Sequence, residues 1–190
     1  MLKVGLTGGI GSGKTFVAEI MKAHGIPVFD ADSEAKSLYN DPQIIAEVAA
    51  IFGDDVLEDG KVILKIISQK AFADKNLLSK LNNLIHPIVR QNFIKWAESQ
   101  KSDFAVMESA IFFETGLYKM MDKMITVDAP EDVRFERIRR RNPNWSESEI
   151  RRRMASQMPQ SEKCRLADFI ITNDGTADVE SQVLKIKSLL

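Results

Sequence analysis

The chain has 190 residues, 44% of them hydrophobic and 28% charged, with one cysteine and a formal net charge of −1. That length suits one compact domain with a substantial core, and the balanced charge gives no global pull toward nucleic acid or an anionic membrane. A single cysteine, Cys164, excludes an intrachain disulfide, and no apolar run approaches the roughly 20 residues of a membrane span. Together with a first strand that runs straight into a glycine-rich loop rather than a signal peptide, this points to the cytoplasm.

The run "LKVGLT" reads as a buried strand ending at glycines, and "TFVAEIMKAHG" as a helix stopped by Gly25. "IPVFDAD" is a second short strand ending in two acids. A strand, loop, helix and strand in this order imply a parallel sheet with right-handed crossovers. From about 33 to 100 the signal is helical, with "DPQIIAEVAAIFG", "ILKIISQKAF", "KNLLSKLNNLI" and "PIVRQNFIKWAESQ" in series and "DDVLEDG" as a turn. This stretch is too long for a simple crossover and reads as an insertion that receives a second substrate.

"FAVMES" and "KMITVDAP" resume the sheet, and "DVRFERIRRRN" and "SESEIRRRMASQ" are basic helices, the latter with a capping-box pattern at Ser146 and Glu149. "ADFIITNDG" is a fifth strand and "DVESQVLKIKSLL" a last amphipathic helix. The expected fold is α/β, a five-stranded parallel sheet flanked by helices. It forms one domain over 1–190, with the insertion at 33–100 and an arginine-rich lid at 137–155.

Gly8, Gly13, Lys14 and Thr15 match G-x-x-x-x-G-K-[ST], with further glycines at 9 and 11. Glycines let successive N–H groups turn toward phosphate oxygens, and the helix that follows adds its positive end. Lys14 should reach the β and γ phosphates and the Thr15 hydroxyl should ligate Mg²⁺. Gly9, Ile10, Gly11, Ser12 and Phe16 complete the expected nucleotide contacts. A Rossmann dinucleotide site has a different glycine spacing and no use for the Lys-Thr pair.

Asp30 and Asp32 lie at the end of the second strand, at the sheet edge where ligands bind, and one of them suits the orientation of an attacking hydroxyl. The competing use is helix capping by Asp32 or Ser33. Glu108 ends the third strand, where an acid commonly supports Mg²⁺; the alternative is a solvated strand end. Eight arginines lie between 134 and 153 against three acids. The run is not interleaved with base-stacking aromatics, so a lid that closes over a triphosphate is favoured over a nucleic-acid surface, with Arg137 and Arg141 as the site residues. His86 is either a packed residue or a substrate contact. No D-x-x-G strand end and no N-K-x-D string occurs, which argues against a switch GTPase.

Taken together, "GLTGGIGSGK", "VFDAD", "LNNLIHPIV", "SAIFFETGLYK", "RIRRRN" and "LADFIITNDG" resemble, in this order and nearly end to end, the dephospho-CoA kinase family. The resemblance implies transfer of the ATP γ-phosphate to the ribose 3′-hydroxyl of dephospho-CoA with Mg²⁺. It implies Asp32 as base or positioner, Arg141 as lid arginine and Asn173 to Gly175 as the loop bordering adenine. Thr7, Asp32, His86 and Glu114 are the expected substrate contacts, and no nucleic-acid or membrane partner is expected. The chain departs from the family pattern at Ala110, usually Pro, and at Glu108, usually Asp. Ile63 and Leu64 stand where the family often has an Asp-Arg pair. The rival readings are a nucleoside or nucleoside-monophosphate kinase and a nucleotide-binding regulator without turnover.

Overall fold

The computed structural model describes residues 1–190. In chain order the elements are β1 (Leu2–Thr7), α1 (Lys14–Ala23), β2 (Val28–Asp30), α2 (Ala31–Ser37), α3 (Pro42–Phe52), β3 (Leu57–Glu58) and β4 (Lys61–Val62). They continue with α4 (Leu64–Ala73), α5 (Lys75–Glu98), β5 (Phe104–Glu108), β6 (Lys123–Asp128), α6 (Glu131–Arg141), α7 (Glu147–Ala155), α8 (Gln160–Leu166), β7 (Phe169–Thr172) and α9 (Val179–Lys187). The chain divides into two compact units, residues 1–30 with 97–190, and residues 31–96. The sequence reading set the helical insertion at 33–100.

The first unit is built on a five-stranded parallel sheet in the order β2-β5-β1-β6-β7. Its strands are near-continuous apolar runs because helices cover both faces. Val4, Leu6, Val106, Ile125, Val127 and Ile171 are fully buried, packed with Val17, Ala18 and Met21 of α1 and Val179, Val183 and Ile186 of α9. The spacing of the helical residues places each set on one face. β1 and β2 follow each other in sequence but do not pair: β5 lies between them. That insertion aligns Asp30 with Glu108 across β2 and β5, and Leu6 with Glu108 across β1 and β5. The carboxyl ends of β1, β2 and β5 therefore bring the phosphate loop, Asp30 and Glu108 to one edge.

In the second unit α3 starts as its Asp-Pro signal indicates: the Asp41 carboxylate accepts the Gln43 N–H at 2.8 Å, with Pro42 in the first turn. The segment read as a plain turn, "DDVLEDG", instead opens into an antiparallel hairpin that pairs Leu57 with Val62 and Glu58 with Lys61. Asp59 and Gly60 take φ of 49° and 73°, the left-handed pair that a two-residue hairpin turn demands. Two strands of two residues each are too short for an alternation signal, so only the Asp-Gly pair betrayed them. Lys70 ties α4 back to the end of α3, donating to the Phe52 carbonyl at 2.7 Å and to Asp55 at 2.6 Å. The segments read on either side of Pro87 are one helix, α5, which runs through the proline without a break. Its start is fixed by Asp74, whose carboxylate accepts the Asn76 N–H at 2.7 Å.

Candidate active site

β1 ends at Thr7 and α1 begins at Lys14, so the intervening loop points from the sheet edge into a helix N-terminus. Such a terminus leaves N–H groups without intrahelical acceptors and carries a partial positive charge, the basis of an anion site. The loop turns through an Ser12 N–H to Gly9 carbonyl bond of 3.0 Å. Gly11 and Gly13 take φ of 83° and 92°. A side chain at Gly11 would also strike the Arg134 carbonyl, 2.5 Å from its Cβ, and one at Gly13 would strike the Asn173 amide. The glycines thus serve close approach by α6 and by the segment after β7, beyond any need to turn.

That approach is a clasp. The Arg137 guanidinium donates to the Asn173 carbonyl at 2.9 Å, to its Oδ1 at 3.3 Å and to the Ser12 carbonyl at 3.4 Å. The Asn173 amide donates to the same Ser12 carbonyl at 2.8 Å. Arg137, expected on a lid, is instead held inward on α6 against the phosphate loop. Beside the clasp opens a cavity of about 790 Å³ whose walls include Gly13, Phe16, Arg137, Asn173, Gly175 and Val179. Phe16 is 56% exposed, an aromatic face presented next to the loop. The wall at 173–177 is shaped by Asp174, whose Oδ1 accepts the N–H groups of Thr176 and Ala177 at 2.8 and 2.9 Å. Those N–H groups, Thr176 first, hold the Asp174 carboxyl below its usual range.

Lys14 folds its ammonium over the loop to the Gly8 carbonyl at 3.1 Å. Thr15 Oγ1 donates to Glu108 Oε1 at 3.2 Å, so the two oxygens expected to support a metal are adjacent. No cluster of three or more His, Cys, Asp or Glu side chains is arranged to hold a metal ion. Thr7 and Ser12 are fully buried, and neither hydroxyl has a hydrogen-bond partner. Thr7, expected at the substrate, presents no surface to one.

Asp32 lies in the first turn of α2, which starts at Ala31 directly after β2. The helix begins before Asp32 and Ser33, so neither occupies the capping position weighed for them. His86 lies on α5 one turn before Arg90; burial first, and then the Arg90 charge, push its pKa below the ordinary histidine value.

The arginine run resolves into distinct uses. Arg134 donates to the Ala129 carbonyl at 3.2 Å. Arg139 and Arg140 pair with Glu136, Arg151 with Glu147, and Arg153 with Glu149. Contrary to the sequence reading, two aromatics do interrupt the run, but both are covered from inside the chain: Arg151 sits 5.0 Å from the Phe135 ring centre and Arg153 4.0 Å from that of Trp145. Ser146 caps α7 through the Glu149 N–H at 3.2 Å, but the Glu149 carboxylate turns to Arg153 rather than back to the cap. Only the side chains of Arg141 and Arg152 have no hydrogen-bond or ion-pair partner. Arg141 is the exposed last residue of α6.

Glu114, expected at the substrate, has another use. It accepts the Lys163 ammonium and the Met158 N–H at 2.7 and 2.8 Å. Lys163 has no exposed surface and also donates to the Ala110 carbonyl at 2.7 Å. Burial pushes the Glu114 carboxyl up, but the Lys163 bond and the Met158 N–H outweigh it and leave the pKa lowered. Sequence reasoning missed Lys163 because a fully buried lysine in the polar stretch "PQSEKCR" leaves no hydropathy signal. It also missed Gln157 and Gln160, which reach the loop from the other side.

With this geometry in hand, known proteins place the chain firmly. A family model described as dephospho-CoA kinase matches residues 2–178. The chain is 37% identical over 191 residues to a dephospho-CoA kinase of Bacteroides fragilis, covering 100% of this chain and 93% of that one. It is 34% identical over 192 residues to one of Corynebacterium glutamicum, covering 98% and 96%. Among solved structures it is similar to TT1252 from Thermus thermophilus, with a TM-score of 0.90 at 26% identity and coverage of 99% and 96%. A dephospho-CoA kinase from Campylobacter jejuni gives 0.70 at 27% identity, covering 98% and 95%.

Proposed function

Since the chain belongs to the dephospho-CoA kinase family, we propose that it transfers the γ-phosphoryl group of ATP to the ribose 3′-hydroxyl of dephospho-CoA. The acceptor oxygen forms the new P–O bond, the bond between the β–γ bridging oxygen and phosphorus breaks, and ADP leaves with the bridging oxygen. The hydroxyl proton passes to a base.

The observation that carries this reading is the phosphate loop clasped by Arg137 and Asn173 beside the Thr15–Glu108 pair and the Phe16-walled cavity. The cavity takes the adenine, with Phe16 against its face and the Asn173–Gly175 backbone along its edge. The Gly9 and Ile10 N–H groups, expected at the nucleotide, are taken by Gln160 and Gln157, so the backbone from Gly11 to Gly13 and the α1 N-terminus follow the polyphosphate, and Lys14 exchanges its Gly8 carbonyl for the β and γ oxygens. Thr15 and Glu108 form a sparse, all-oxygen donor set. That fits Mg²⁺, which keeps several waters and takes phosphate oxygens, and does not fit zinc. When bound, Mg²⁺ would offset phosphate charge.

Arg141, without an internal partner, closes on the transferring group with the part of the 137–155 lid that lies beyond the clasped Arg137, and Asp32 orients the acceptor hydroxyl and takes its proton. The helical unit, with His86, receives the acceptor. Exclusion of water on closure protects ATP from hydrolysis. No helix is long and apolar enough to cross a membrane.

An Asp32→Asn variant tests the assignment. ATP affinity should be retained while turnover falls at least ~10²-fold, the scale of lost acid–base catalysis. Unchanged turnover would remove Asp32 from the chemistry.

A further inference from the structure

The loop that holds the phosphates is itself held. Gln157 Oε1 accepts the Ile10 N–H at 2.8 Å, and Gln160 Oε1 accepts the Gly9 N–H at 2.8 Å. The Gln160 amide nitrogen simultaneously donates to the Val127 carbonyl at 3.0 Å, which fixes that side chain between the end of β6 and the loop. A side chain at position 9 would come 3.0 Å from Gln160 Oε1 and 2.6 Å from an Arg134 nitrogen, so Gly9 is where the bracket needs room.

The segment that supplies these oxygens is anchored. It runs from the end of α7 into the first turn of α8 and is fastened by Met158 and Lys163 to Glu114, by Lys163 to Ala110, and by the Thr126 hydroxyl, which donates to the Lys163 carbonyl at 3.2 Å. Gln157 follows the last residue of α7 by two positions. The chain therefore runs from the arginine-bearing helix directly into the two side chains that bond the phosphate loop, with the Lys163–Glu114 ion pair anchoring the α8 turn behind them.

The loop is thus divided. Its entrance half, Gly9 and Ile10, gives its N–H groups to two neutral side-chain oxygens. Its exit half ends in the α1 N-terminus, whose orphan N–H groups suit an anion. We propose that Gln157 and Gln160 are positioning residues. They hold the entrance half in the shape that aims the exit half at the polyphosphate, and so couple the end of α7 to nucleotide affinity. Neutral acceptors suit this place, because a carboxylate would accept the same N–H while repelling the phosphates. The effect on ATP rests on the kinase reading above; the hydrogen bonds themselves do not.

Gln157 is the cleaner handle, because its one bond to the loop is to Ile10. The test combines amide hydrogen exchange by NMR on the full chain with steady-state kinetics. In the wild type the Ile10 amide should be protected. In Gln157→Ala it should exchange at least ~10-fold faster while Gly9 keeps its protection, and Gln160→Ala should do the reverse. KM for ATP should rise about five-fold in Gln157→Ala, the scale of one lost hydrogen bond, with kcat and the KM for dephospho-CoA unchanged. Gln157→Glu should restore Ile10 protection. Fast Ile10 exchange in the wild type would overturn the proposal, as would unchanged exchange in Gln157→Ala or a loss of kcat at constant KM for ATP. Should Gln157→Ala fail to fold, the wild-type and Gln157→Glu exchange rates decide. Normal Ile10 protection in a chain that transfers no phosphate would instead fail the kinase reading alone.

Discussion

Arg137 and Arg141 stand one helical turn apart on α6 and are used in opposite ways. Arg137 is enclosed, spending its donors on Ser12 and Asn173, whereas Arg141 at the helix end has no partner. Lys163 and Arg152 repeat the contrast, one buried against Glu114 and the other open. The cations of this region thus divide into those held by internal partners and those without one. A paired cation is already neutralised by its surroundings. An unpaired one keeps its field for charge that develops in a transition state.

The largest expected effect is on Arg141. Arg141→Ala should lower turnover ~10²–10³-fold with the melting temperature unchanged, the range seen when a preorganised charge stabiliser is removed. Arg137→Ala should do the converse: it breaks the clasp, lowers the melting temperature and raises KM for ATP more than it lowers kcat. Steady-state kinetics and thermal melts on the two variants together would break the comparison if both lost activity alike with unchanged stability.

The next effect concerns the buried cation. Glu114→Gln leaves Lys163 enclosed without its counter-charge, which should cost about 3 kcal/mol in chemical denaturation. Because the folded pKa of Glu114 lies below its ordinary value of 4.5, its share of stability is present above that pH. It should be lost as pH falls through the lowered folded value. The variant should therefore show a shallower acid limb than the wild type between pH 4.5 and the acid midpoint. Identical acid limbs would show that the pair contributes no linkage.

Much of this was readable in the chain. The phosphate loop, the α1 that follows it and the five apolar strands each carry a local signature, and each lies where its pattern put it. The Asp-Pro start of α3 and the Ser146 cap of α7 are likewise local chemistry. The failures are of a different kind. The pairing of β1 with β5 joins residues about a hundred positions apart, and no periodicity within either strand encodes its neighbour. The two helical segments quoted up to Ile85 and from Pro87 onward are one helix, α5, although proline removes a donor.

The site divides in the same way. Thr15 and Glu108 were legible as a pair, because parallel strands place their carboxyl ends on one edge. Arg137 and Arg141 were named together from the residues, and only the family resemblance set Arg141 apart as the lid arginine; that Arg137 is held by Ser12 and Asn173 is visible only in the fold. The ion pair that Glu114 makes with a buried lysine 49 positions later leaves no signal in the sequence around it. Gln157 and Gln160 are ordinary polar residues until the fold brings the loop to them.

The most direct test of the account offers dephospho-CoA and AMP together to the protein with ATP and Mg²⁺ and identifies the products by mass. CoA as the sole phosphorylated product is the expected result. ADP formed from AMP, with dephospho-CoA untouched, would leave the fold and the phosphate site standing but contradict the acceptor and the use assigned to the helical unit.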